Sequence, residues 1–167
     1  MRLLVGVFTV IFSAALPTMS VASPCPLANI KNARALHDFL SLRAVQIVKL
    51  AAKTEGGSSR LNGVIAPTAS FSLGAGDVVV PLGTGAEGAR ALVARMNADT
   101  YRYLGWDYMD MPIDACSSQK ISVEFVDSVS KTVSKVEFTF DGGLLLKAAG
   151  WSDSFQTGPL RSLSPRR

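Results

Sequence analysis

Acid–base chemistry near neutral pH has few candidates in this 167-residue chain. His37 is its single histidine, and so the one side chain whose ordinary pKa lies in that range. To act as a general acid or base it needs a cavity and a partner carboxylate within hydrogen-bond reach. Asp77 and Asp107 are the candidate partners. Each has a plainer role: Asp77 as a turn residue beside glycines, Asp107 as a solvated loop charge. His37 falls at the edge of a helical apolar stripe, where it either looks into a cavity or stands as a boundary residue. A second group suits binding better than reaction. Tyr101, Tyr103, Trp106 and Tyr108 are clustered, and on a strand Tyr101 and Tyr103 share one face. Aromatic rings with a polar tip fit an amphipathic ligand, a dimer interface or ordinary core packing. Trp151 follows Gly150, whose lack of a side chain would let the indole be aimed into a cavity, at a partner or into the core.

Other chemistries find no support. One histidine and two widely separated cysteines give no zinc-ligand spacing, so no metal is expected. Gly74-Ala-Gly76 and Gly83-Thr-Gly85 lack the remaining positions of a phosphate loop or dinucleotide fingerprint, and no cofactor is implied. The net charge of +4 comes from the ends. Of the 17 Lys and Arg, Arg2, Arg161, Arg166 and Arg167 lie in terminal segments, which leaves 13 basic against 13 acidic residues. No basic stripe with interleaved aromatics remains, which disfavours nucleic acid as a partner.

The N-terminus reads as an export address. Arg2 precedes an apolar run from Leu3 to Leu16, and Ser20-Val21-Ala22 carries small residues where a signal peptidase cuts. The run is shorter than the ~20 residues of a comfortable membrane span, and Pro17 follows it. Residues 1–22 are therefore expected to be a cleaved signal, 23–157 a single domain and 158–167 a disordered basic tail. The expected location is secreted or periplasmic, with no stable membrane insertion after cleavage. In that setting Cys25 and Cys116 are expected to form a disulfide that pins the N-terminus to the loop before the last strands.

The elements that must position these residues are clearest late in the chain. Ile121, Val123 and Phe125 alternate with Lys120, Ser122 and Glu124, and Val136, Phe138 and Phe140 with Lys135, Glu137 and Thr139. This predicts strands over Lys120–Val126, Thr132–Phe140 and Leu144–Phe155, with Asp141-Gly142-Gly143 closing the second hairpin. Ala33, Leu36, Leu40, Ala44, Ile47 and Ala51 predict a helix over Ile30–Lys53. Glu55–Ser59 reads as a flexible loop, Leu61–Ala66 as a short helical turn before Pro67, and Ala69–Leu73 as a short strand. Thr84-Gly-Ala-Glu87 is a capping box opening a helix through about Ala98, and Thr100–Tyr108 a strand or its flank. The fold class is α+β: a curved antiparallel sheet wrapped around N-terminal helices.

The stretch Val64–Leu73, followed by Val80-Pro-Leu-Gly83 and the helix opening at Gly85-Ala-Glu-Gly88, resembles the front half of the nuclear transport factor 2-like superfamily. Gly150–Phe155 is similar to its back half. That group includes ketosteroid isomerase, scytalone dehydratase and SnoaL-like polyketide cyclases. The resemblance implies a cystatin-like cone with an apolar pocket at its wide end, used by enzymes, small-molecule binders and dimeric modules. The position just before the Pro-x-Gly, where the isomerases carry a catalytic aspartate, is Val80 here, so that mechanism is not carried over.

Three readings follow. The first is an exported cone that binds a small, largely apolar molecule. The second is an acid–base cyclase, isomerase or dehydratase working through His37 and an aspartate. The third is a noncatalytic homodimerisation module using the second sheet face, on which Val133, Leu145, Ala149 and Trp151 are the apolar candidates.

Overall fold

A computed structural model describes residues 25–53, 57–104 and 114–155. The expected signal segment, the basic tail, and Trp106, Asp107 and Tyr108 lie outside these residues. Three helices, α1 (Ala33–Ala51), α2 (Gly57–Asn62) and α3 (Gly85–Met96), accompany six strands: β1 (Ile65–Ala75), β2 (Val78–Thr84), β3 (Thr100–Tyr103), β4 (Gln119–Asp127), β5 (Thr132–Asp141) and β6 (Leu144–Ser154). The strands form one curved, open sheet in the order β2-β1-β6-β5-β4-β3.

The α+β class and the curved sheet around helices agree with the reading above. One pairing does not: β1 runs parallel to β6, so the sheet is mixed. The strands β3 to β6 form an antiparallel run, and the β1–β2 hairpin joins it at β6. β1 also begins earlier than the alternation suggests. Its pairing with β6 is irregular between Ile65 and Ser70, and Pro67 falls in that stretch, where its missing N–H costs no ladder bond. The loop expected over Glu55–Ser59 gives way to α2 from Gly57, whose Leu61 is wholly buried between neighbouring elements.

Local chemistry explains the helix ends. The Asn32 side chain accepts from the Ala35 N–H at 2.8 Å and caps α1. At α3 the helix starts where the capping box places it, but the Thr84 side chain makes no cap bond. Gly85 has φ +58°, so the entry lacks the backbone geometry that a reciprocal cap requires. The helix ends on Asn97 in the left-handed region at φ 47°.

The core lies between the helices and one sheet face. Leu36, Leu40, Ala44 and Ile47 of α1 meet Ile121, Val123 and Phe125 of β4, Val136, Phe138 and Phe140 of β5, and Phe71 and Leu73 of β1 in one buried cluster. A register shift in the β5–β6 pairing sets Phe140 opposite Leu145 and Thr139 opposite Lys147. The extra residue reverses the side-chain alternation, so Leu145 and Ala148 both turn inward and are wholly buried. Leu145 is thus a core residue and not part of a second apolar face.

That second face is largely charged. Lys120 Nζ lies 3.0 Å from Glu137 Oε1, and Arg102 pairs with Glu124. Val133, Ala149 and Trp151 do lie there, because each pairs out of phase with the inward positions.

Candidate functional site

The edge strand β3 carries the two described tyrosines. Tyr101 pairs with Phe125 and Tyr103 with Val123, so both side chains are on the helix-covered, concave face. Phe125 and Val123 are buried, yet Tyr101 and Tyr103 are 37% and 39% exposed. Their rings meet edge to face with centroids 5.6 Å apart. Burial, then the neighbouring Tyr101, raises the Tyr103 pKa above its ordinary value of 10.0. Over Tyr101 lies the ammonium of Lys49, 5.2 Å from the ring centroid. Lys49 is in the last turn of α1. Sequence reasoning assigned it no role, because only the docking of α1 on the sheet, against β4, brings it to Tyr101 on the neighbouring strand.

His37 is two-thirds of α1 away from this cluster, roughly 18 Å along the helix axis for the twelve residues to Lys49. It is 8% exposed, with Nε2 3.4 Å from the Ser41 hydroxyl and Nδ1 3.7 Å from Asp38 Oδ1. The Asp38 side chain is 70% exposed, so this carboxylate stands in water and not in a closed pocket. Asp77 is not brought to His37. It occupies the exposed turn between β1 and β2, next to Gly76 at φ +57°. Ala75 before that turn is level with Ser152 at the far end of β6, whereas α1 is tied to the opposite end, where Arg43 donates to the Gly143 carbonyl at 2.6 Å. The hairpin needs Asp77 as a turn residue, and no described element carries it inward.

Trp151 corrects a second expectation. It pairs with Lys135 and Gly74, and its indole lies directly over Gly74, where even a methyl group would collide with the ring. Gly150 points the other way, with Leu73 and Val136 against it. The indole therefore packs on the outer sheet face and does not enter a concave cavity. Among the described residues no group of three or more His, Cys, Asp or Glu is placed to hold a metal ion.

The β3 edge is braced at its base by Asp127. Its carboxylate accepts from the backbone N–H groups of Val129 and Ser130 at 2.9 and 3.0 Å and from the Asn97 amide at 2.9 Å. The Ser130 backbone N–H, then the Ser130 and Asn97 side chains, hold its pKa down to about 2 from an ordinary 3.8. A folded-state pKa below the unfolded one gives stability that is complete above about pH 4 and is lost as pH falls toward 2. Asp127→Asn is expected to lower Tm at pH 7 and to flatten the fall in Tm between pH 5 and pH 2. Parallel Tm–pH curves for the two proteins would show that Asp127 carries none of the acid sensitivity.

Cys25 and Cys116 form a disulfide with a Cα–Cα distance of 5.9 Å. Leu27 and Ala115 on either side of it are buried in the core.

No family model matches the chain, and no curated protein matches it. Solved structures do. A proposed SnoaL-like polyketide cyclase from Jannaschia sp. CCS1 is 12% identical, over 79% of this chain and 90% of that one, with a TM-score of 0.43. A protein of unknown function with a cystatin-like fold from Methylobium petroleophilum PM1 is 14% identical, over 78% and 85%, with a TM-score of 0.43. A de novo designed NTF2-fold protein is 8% identical, over 70% and 86%, with a TM-score of 0.40.

Proposed function

We propose that residues 23–157 form an exported single-domain protein that binds a small, largely apolar molecule on the concave face beside β3. One observation carries this reading: Tyr101 and Tyr103 stay more than a third exposed on a face whose β4 and β5 side chains are sealed. Two rings at an angle, with hydroxyls at their tips, offer apolar contact and fixed polar groups to one ligand. The disulfide supports an oxidising compartment, in keeping with the export signal read from the sequence. The acid–base alternative gains nothing from the described carboxylates, since Asp38 is solvated and Asp77 sits in a remote turn. The Lys120–Glu137 and Arg102–Glu124 pairs likewise make the outer face a poor apolar dimer interface.

The test uses 2-acetylnaphthalene, a neutral aromatic probe, in ligand-observed NMR titrations. The protein is expected to bind it, and the Tyr101→Ala/Tyr103→Ala double variant to bind it about thirtyfold more weakly, at about 1 kcal/mol per ring. Both residues are on an exposed edge, so the far-ultraviolet circular dichroism should not change. No binding by the unmodified protein, or equal binding by the variant, overturns the reading.

A further inference from the structure

The cluster beside β3 holds an exposed cation, Lys49, that no carboxylate among the described residues pairs with. Among the described residues Lys49 has no carboxylate within 4.0 Å, and its ammonium lies over the Tyr101 ring. A basic residue in the last turn of α1 complements the helix dipole, which explains a positive charge at that position. It does not explain why the ammonium is drawn over a tyrosine on the concave side of the sheet. Among the described residues, the acids of β4 and of the turn before β3 are already engaged. Asp127 is held by Val129, Ser130 and Asn97, and Asp99 accepts from the Ser128 hydroxyl and N–H at 3.1 and 3.2 Å. Glu124 pairs with Arg102 on the outer face.

We propose that Lys49 is a specificity-determining residue, and that the ligand bound beside Tyr101 and Tyr103 carries an anionic head, a carboxylate or its equivalent, on an aromatic or aliphatic body. The ammonium supplies the charge partner. The two tyrosine hydroxyls are hydrogen-bonded to each other, which leaves one O–H to donate to the same head. The ring faces take the apolar body, and the cation is poised because Tyr101 already holds it above the sheet edge. A neutral ketone of the same shape would offer Lys49 a carbonyl acceptor but no opposite charge, and the weaker bond is the difference to be measured. This inference rests on the binding reading above and adds the chemical class of the ligand.

The experiment compares 2-naphthoate with neutral 2-acetylnaphthalene, titrated into the full chain and into Lys49→Gln and Lys49→Arg. The unmodified protein is expected to bind 2-naphthoate about tenfold more tightly than the ketone, as a hydrogen bond to a charged group contributes. Lys49→Gln should abolish that preference, and Lys49→Arg should retain it. The preference should also shrink as salt is raised. If the ketone binds and naphthoate has no advantage, or if Lys49→Gln keeps the advantage, the anionic-head proposal fails and the binding reading stands. If neither probe binds, both fail.

Discussion

Removing the Cys25–Cys116 bridge is expected to lower the stability of the fold by about 4–5 kcal/mol, on the chain-entropy account of a long closed loop. The bridged residues are 91 apart in sequence, and the loop they close contains α1, the β1–β2 hairpin, α3 and β3. The unfolded chain without the bridge gains the freedom of that whole segment. The folded chain also loses a local anchor. Leu27, two residues after Cys25, is 2% exposed and packs beside Gly143 at the β5–β6 turn, and Ala115, next to Cys116, is 4% exposed. Releasing either end invites water to both. Urea denaturation of a Cys25→Ala/Cys116→Ala variant measures the loss, and the unmodified protein under full reduction should match it. A loss below about 1 kcal/mol would mean that loop closure contributes little and that core packing alone fixes the N-terminus. The same dependence makes the fold much less stable in a reducing compartment, which links the export reading to a measurable property of the chain.

Phe138→Ala is expected to cost about 3–5 kcal/mol, the range for truncating a fully buried phenylalanine. Phe138 is wholly buried near the middle of β5, between β6 and β4. Its ring meets Phe125 edge to face, with centroids 6.2 Å apart and planes at 63°. Phe125 is in turn the cross-strand partner of Tyr101. The cavity left by the truncation would thus open beside Phe125, the residue that adjoins the proposed binding surface. A folded Phe138→Ala protein should show both a lower urea midpoint and weaker binding of 2-acetylnaphthalene, while Phe138→Leu, which refills part of the space, should lose less of each. Full retention of probe binding in a destabilised Phe138→Ala protein would show that the β3 edge is held independently of the core beneath it.

The sequence by itself determined the elements and their buried sides wherever the pattern was local and long. The alternation through Ile121–Phe125 and Val136–Phe140, the spacing of Leu36, Leu40, Ala44 and Ile47, and the Asp141-Gly142-Gly143 turn placed β4, β5, α1 and the β5–β6 hairpin within a few residues. These signals are legible because a strand or helix repeats its burial every two or 3.6 residues, whatever it packs against. The cysteine pair was legible for a similar reason, since only one pairing within the chain exists. The same local reading placed Tyr101 and Tyr103 on one face of a strand. It could not say which face, because that depends on their pairing with Phe125 and Val123, some twenty residues on. The tertiary structure decided the rest. A single-residue register shift sent Leu145 inward, and Trp151 closed over Gly74 on the outer face. The docking of α1 carried Lys49 to Tyr101 while the β1–β2 turn held Asp77 far from His37. Each of these outcomes depends on register and docking between segments distant in sequence. Non-local pairing leaves no period in the chain, so the composition of the site becomes visible only when the sheet is assembled.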